Sequence, residues 1–314
     1  MKASGKGAVV AGALIIAAAA ALVIHLGGSQ QPGPRTPGAA AGRGGAAGNG
    51  RGVPVEAATA SAARGASSQA LYNTAKAKLL AGKQIFSFTQ SKFDIAGYCE
   101  RAKHYDFTWF EMQHSTLTFG DVEKMIAACP RSAATPMIRL PDAQEWHIQH
   151  ATDIGALGVI IPTVDDASRA REAAKWSRYP PVARRSAGGG QAASIWGSAY
   201  RQTFNDNMLV VVMIETVEGV DNTYDIASVP GIDVVLIGNN DLSSFSGFQQ
   251  NDKRYQALVT KVHDETLRAG KIWGQANAKY ASNHPLAKDA KFFQDGPAFD
   301  GWTPSAGRAL NRTP

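Results

Sequence analysis

The sequence predicts a (β/α)8 barrel, the TIM barrel, and three observations carry it. Short apolar runs alternate with longer amphipathic ones from residue 84 onward. The apolar runs are continuous, as in strands buried on both faces of a parallel sheet. The chain has 314 residues and is 44% hydrophobic, enough for one barrel of roughly 250 residues plus extensions. An open doubly wound sheet is the alternative. No GxGxxG follows the first strand to favour a dinucleotide-binding version of it.

Ahead of the barrel, Lys2 and Lys6 precede an uncharged run, Ala8–Ile24, of 17 residues. Residues 1–26 are therefore expected to be an export signal or a membrane anchor, with the basic residues kept on the cytoplasmic side. The body is expected outside the cytoplasm, periplasmic or tethered to the membrane. Residues 27–65 are rich in Gly, Ala and Pro and hold few large apolar residues, the composition of a disordered linker. The barrel domain is expected over 66–304, with a disordered tail at 305–314. Residues 1–65 also contain Lys2, Lys6, Arg35, Arg43, Arg51 and Arg64 against Glu56 alone. Five of the six net positive charges lie there, so the folded part is near neutral and no nucleic-acid surface is indicated.

Folded structure is expected from about Ser67, where Leu71, Ala75, Leu79 and Leu80 follow helical spacing. Strands are predicted at Gln84–Thr89, Phe107–Met112, Thr135–Arg139, Gly158–Pro162, Met208–Glu215, Asp233–Gly238, Lys271–Gln275 and, more weakly, Ala290–Gln294. Helices are predicted at Asp94–Lys103, Gly120–Cys129, Ala143–Ile154, Asp165–Trp176, Val217–Ile226 and Tyr255–Ala269. Cys99 and Cys129 fall on helices with no CxxC spacing and are expected to be separate, half-buried thiols.

In such a barrel the chemistry sits at the C-terminal ends of the strands. His114 follows the second strand, Arg139 closes the third, Glu215 closes the fifth and Asp241 follows the sixth. Each has a structural alternative: Glu215 and Asp241 as helix N-terminal partners, His114 and Arg139 as surface residues. Their joint place on one rim favours function. Two carboxylates are hard oxygen ligands suited to a divalent cation, Mg²⁺ or Mn²⁺, with Co²⁺ a further candidate. A 2-oxo acid could chelate that cation, which would stabilise an enolate as a Lewis acid. Arg139 would sit by the developing oxyanion and His114 would act as general acid or base. Asp153 would hold the His114 tautomer if it turned inward.

These residues sit in recognisable motifs. Asp106–Ser115 (DFTWFEMQHS), Met137–Pro141 (MIRLP), Gly155–Pro162 (GALGVIIP), Pro180-Pro181 with Arg185, Met213–Gly219 (MIETVEG) and Val229–Ser243 (VPGIDVVLIGNNDLS) together resemble the HpcH/HpaI aldolase family. The resemblance implies a class II aldolase, a carbon–carbon lyase that cleaves a 4-hydroxy-2-oxo acid to pyruvate and an aldehyde with the enolate held on a divalent metal. It implies Glu215 and Asp241 as metal ligands, Arg139 and His114 with Asp153 as catalytic residues, and a homo-oligomer, trimer or hexamer. The Arg185–Gly190 loop (RSAGGG) resembles the family segment that wraps the pyruvate end, so Arg185, Gly188, Gly189 and Gly190 are implied as substrate contacts. Trp196 and Tyr200 beyond it either line the aldehyde pocket or anchor the loop. Met213 stands where the family often has Gln, and Gln113 stands beside His114 where the family has an acid. The alternatives are a citrate-lyase-β-like or malyl-CoA-lyase-like enzyme and a non-catalytic exported module that binds an oxo acid.

Overall fold

The computed structural model describes residues 71–188, 190–277 and 285–298. The expected leader, linker and tail lie outside these residues. Eight parallel strands close into a barrel in sequence order. They are β1 Ile85–Gln90, β2 Phe107–Glu111, β3 Thr135–Arg139, β4 Gly158–Ile161, β5 Leu209–Ile214, β6 Val234–Ile237, β7 Ile272–Asn277 and β8 Phe292–Asp295. Each pairs with its sequence neighbours, and β8 closes on β1 through Ile85↔Phe292 and Phe86↔Phe293.

The continuous apolar runs follow from two cores. Leu209, Val211 and Met213 point into the barrel with Phe107, Trp109, Met137, Ile160 and Leu236. Val210, Val212 and Ile214 point outward against the helices. Every position of β2 to β6 is therefore withdrawn from water, and alternation disappears from those stretches of the sequence.

The helices are α1 Thr74–Leu80, α2 Ile95–Arg101, α3 Phe119–Ala128, α4 Glu145–Asp153, α5 Ala167–Ser177, α6 Gly190–Trp196, α7 Tyr200–Asn207, α8 Val217–Asp221, α9 Thr223–Ser228, α10 Asn239–Ser246 and α11 Lys253–Arg268. Among the described residues no helix is long and apolar enough to cross a membrane. α1 begins later than expected because Asn73 caps it, accepting from Lys76 N at 2.8 Å. Its Ala75 and Leu79 pack on the barrel's inner core, while Leu80, expected on the apolar face, is exposed. Asn73 also donates to Leu157 O and Asn207 O, at 3.2 and 2.6 Å. Both acceptors precede a strand, so α1 stoppers the N-terminal mouth and the opposite mouth stays open to function.

Three expectations change. The single helix over Val217–Ile226 is two, α8 and α9, broken at Asn222, whose amide reaches across to Asp165 O at 2.8 Å. The segment after Arg185, expected as a long loop, holds α6 and α7. Cys99 and Cys129 are not separate thiols: they form a disulfide with Cα atoms 5.7 Å apart. Adjacent strands place α2 beside α3, which brings the two cysteines within bridging range.

Candidate active site

At the C-terminal mouth, His114, Arg139, Glu215 and Asp241 line one cleft of about 460 Å³. Glu215 immediately follows β5 and is 1% exposed. Its Oε2 accepts from Thr163 N at 2.7 Å and from Thr163 Oγ1 at 3.2 Å. Its Oε1 is buried with no hydrogen-bond partner among the described residues. Gly238, which opens the turn after β6, leaves the room for that oxygen, since a Cβ there would overlap Glu215 Oε1.

Burial pushes the Glu215 carboxyl above its usual range; the Thr163 N–H pulls it down, and the nearby charge of Asp241 pushes it up again. A buried carboxylate oxygen without a donor, in the field of a second carboxylate, is costly unless a cation neutralises both. The pair therefore fits a divalent ion, with water and substrate oxygens completing its shell. Among the described residues no third His, Cys, Asp or Glu joins them as a cluster. Asp241 lies in the first turn of α10 rather than before it.

Arg139 ends β3 and lies in register with Glu111, which ends β2. Arg139 Nε donates to Glu111 Oε2 at 2.7 Å, and its guanidinium lies 5.6 Å from the centre of the Trp109 ring. Its Nη1 is 3.8 Å from Met213 Sδ, so Met213 forms the floor beneath the guanidinium. The same Glu111 oxygen accepts from Trp109 Nε1 at 3.0 Å. The other accepts from the backbone N–H groups of Gln113 and His114, each at 2.9 Å. One carboxylate thus fixes both Arg139 and the loop that carries His114. The sequence reading did not single out Glu111. Its signal was an acid closing an apolar strand, as with Glu215.

The structure does not bring Asp153 to His114. Asp153 ends α4, and its Oδ1 accepts from Arg185 Nη2 at 2.6 Å. Arg185, expected at the substrate, is 2% exposed. It donates to Tyr200 OH at 2.9 Å and lies over the Tyr179 and Phe204 rings, 4.4 and 4.2 Å from their centres. Gly188 abuts Asp153, Gly190 begins α6, and Gly189 lies outside the described residues. Asp153, Arg185, Gly188 and Gly190 do not line the cleft. The reason is topological: a helix returning from the C-terminal mouth ends at the opposite one, as does the segment between α5 and β5. Trp196 and Tyr200 are anchors: Trp196 donates to Gly155 O at 2.9 Å and stacks on Tyr72, and Tyr200 donates to Thr152 O at 3.2 Å.

The model of the HpcH/HpaI aldolase/citrate lyase family matches residues 89–295. A 2-keto-3-deoxy-L-rhamnonate aldolase of Shigella sonnei is 33% identical over 210 residues, covering 66% of this chain and 78% of that protein. A 2-dehydro-3,6-dideoxy-6-sulfogluconate aldolase of Pseudomonas putida is 30% identical over 183 residues, 57% of this chain and 70% of that one. Among solved structures, an HpcH/HpaI aldolase from Desulfitobacterium hafniense superposes with a TM-score of 0.64 at 25% identity, covering 69% of this chain and 88% of that one.

Proposed function

The chain belongs to the HpcH/HpaI aldolase/citrate lyase family, a carbon–carbon lyase of the aldolase type, and on that premise we propose that it cleaves a 4-hydroxy-2-oxo acid to pyruvate and an aldehyde with a divalent cation at Glu215 and Asp241. The observation that carries the metal assignment is Glu215 Oε1, buried without a partner beside a second acid. Bound there, Mg²⁺ or Mn²⁺ would supply Lewis acidity toward the oxygens of the 2-oxo acid.

The chain's own groups account for the rest. His114 reaches the cleft from the loop after β2, and its ring has no hydrogen-bond partner among the described residues, so it is available to take the proton of the 4-hydroxyl. Arg139 is held rigid by Glu111 and the Trp109 face, so its charge is already oriented where the enolate oxygen develops. Glu111 is a positioning residue for both. No described carboxylate orients the His114 ring in place of Asp153.

Export from the cytoplasm is likewise proposed. It is supported by the uncharged run Ala8–Ile24 behind two lysines and by the Cys99–Cys129 disulfide, a bond that persists in oxidising compartments.

The deciding experiment measures pyruvate release from a panel of 4-hydroxy-2-oxo acids, with Mn²⁺ or Mg²⁺ and with EDTA. Release that EDTA abolishes and added metal restores is the expected result. Release indifferent to EDTA would remove the metal from the mechanism.

A further inference from the structure

Helix α10 carries Asp241, yet little packing holds it: of its eight residues, Leu242 alone is buried. Its N-cap is Gly238, which offers no side-chain acceptor to the first turn. A side chain there would collide with Glu215 Oε1. The space that Glu215 needs thus removes the cap that ordinarily fixes a helix start. A polar anchor stands in its place. Tyr255, in the first turn of α11, is 2% exposed, and its ring belongs to the outer core. Its hydroxyl donates to Asn239 Oδ1 at 2.8 Å and lies 3.2 Å from Asn239 O. The Asn239 amide nitrogen in turn donates to Gln275 Oε1 of β7 at 3.5 Å. Asn239 opens α10 two residues before Asp241, so both stand in one helical turn.

We propose that Tyr255 is a positioning residue for cation binding: its hydroxyl, acting through Asn239, fixes the first turn of α10 and so holds Asp241 in place beside Glu215. The proposal rests on the reading above, in its assignment of the cation to Glu215 and Asp241. The bond to Asn239 satisfies a hydroxyl that the core has withdrawn from water, and removing that hydroxyl leaves Asn239 Oδ1 without its donor. A carboxylate ligand on a sparsely packed turn depends on such partners for its orientation, and affinity falls when they are lost. Asn239 serves the same end, since its side-chain oxygen is engaged by Tyr255 and its amide nitrogen by Gln275.

The test is calorimetric titration of the full chain with Mn²⁺, with no substrate present. Asp241→Asn checks the ligand itself and should weaken binding by more than about tenfold. Tyr255→Phe keeps the ring and loses the hydroxyl, and should raise the Kd for Mn²⁺ by about tenfold. Val259, one turn further along α11, is 3% exposed. Val259→Ala should lower Tm through lost packing and leave the Kd within about twofold of the parent. Asn239→Ala should match Tyr255→Phe, and the double variant should lose no more than either alone; Asn239→Ala by itself carries the test if the tyrosine variant folds poorly. Parent-like Mn²⁺ affinity in Tyr255→Phe and Asn239→Ala overturns the proposal while the metal assignment stands. A loss in Val259→Ala as large as in Tyr255→Phe does so too, because the effect would then be one of general stability. Mn²⁺ binding that is absent from the parent, or indifferent to Asp241→Asn, overturns both.

Discussion

Thr163 gives its backbone N–H, at 2.7 Å, and its hydroxyl, at 3.2 Å, to the same oxygen of Glu215. To do so it adopts φ of 49°, a left-handed conformation unfavourable for a β-branched residue. The bend after β4 thus turns one donor pair onto Glu215 Oε2, while Oε1, the oxygen proposed to bind the cation, has no partner among the described residues. Partners that orient a ligand tune metal affinity. Thr163→Val keeps the N–H and loses the hydroxyl. It should weaken Mn²⁺ binding by roughly three- to tenfold, read by calorimetric titration.

Gly238 has ordinary backbone angles, so its role is space rather than conformation. A methyl group there would overlap Glu215 Oε1. Gly238→Ala should push the carboxylate aside and reduce Mn²⁺ affinity by more than about tenfold, with circular dichroism showing the barrel retained. Unchanged Mn²⁺ binding would argue that Glu215 is not a ligand.

Glu111 accepts from four donors, so removing its charge takes from the buried Arg139 the carboxylate it is paired with. Glu111→Gln should lower stability by about 2–4 kcal/mol in urea unfolding. It should also lower kcat by about a hundredfold, because Arg139 and the His114 loop lose their common anchor. A kcat within threefold of the parent would show that Arg139 needs no such anchor.

Asp295 sets a pH dependence of stability with a definite sign. Its carboxyl is pushed from 3.8 to about 6 by burial, against which the Thr89 hydroxyl acts weakly. A group harder to ionise in the fold than in the open chain costs stability once it is charged. That cost is absent well below 3.8, grows through the interval and is complete above about 6. Asp295→Asn should therefore raise Tm at pH 8 and leave it unchanged at pH 3, compared by thermal melts in matched buffers.

The Cys99–Cys129 bond joins α2 to the end of α3 across a sequence separation of 30 residues. Closing a loop of that length removes chain entropy worth about 3–4 kcal/mol from the unfolded state. Reductant should lower Tm by several degrees, and Cys99→Ser with Cys129→Ser should reproduce the lower value and lose its sensitivity to reductant. A Tm indifferent to reductant would show that the bond adds nothing to stability.

All eight strands were legible to within about two residues, and Thr135–Arg139 to the residue; in β2 to β6 both faces are buried, which favours apolar residues at successive positions. The rim placement of His114, Arg139, Glu215 and Asp241 followed from those strands. Helices α6 and α10 escaped because GQAASIW and NNDLSSFS show no apolar stripe at helical spacing; packing against neighbouring elements stabilises them. Glu111 escaped because it was read as part of its strand rather than as the residue that ends it.

Local sequence determined which residues stand at the open end of the barrel, since strand order and strand length fix that from periodicity alone. Tertiary structure decided which of them meet. It paired Arg139 with Glu111, directed Asp153 and Arg185 to each other at the far end, and joined two cysteines from neighbouring helices. Those contacts depend on sheet register and on how each helix is rotated against the barrel. Both quantities are set by packing between distant segments, and no periodicity within one segment encodes them.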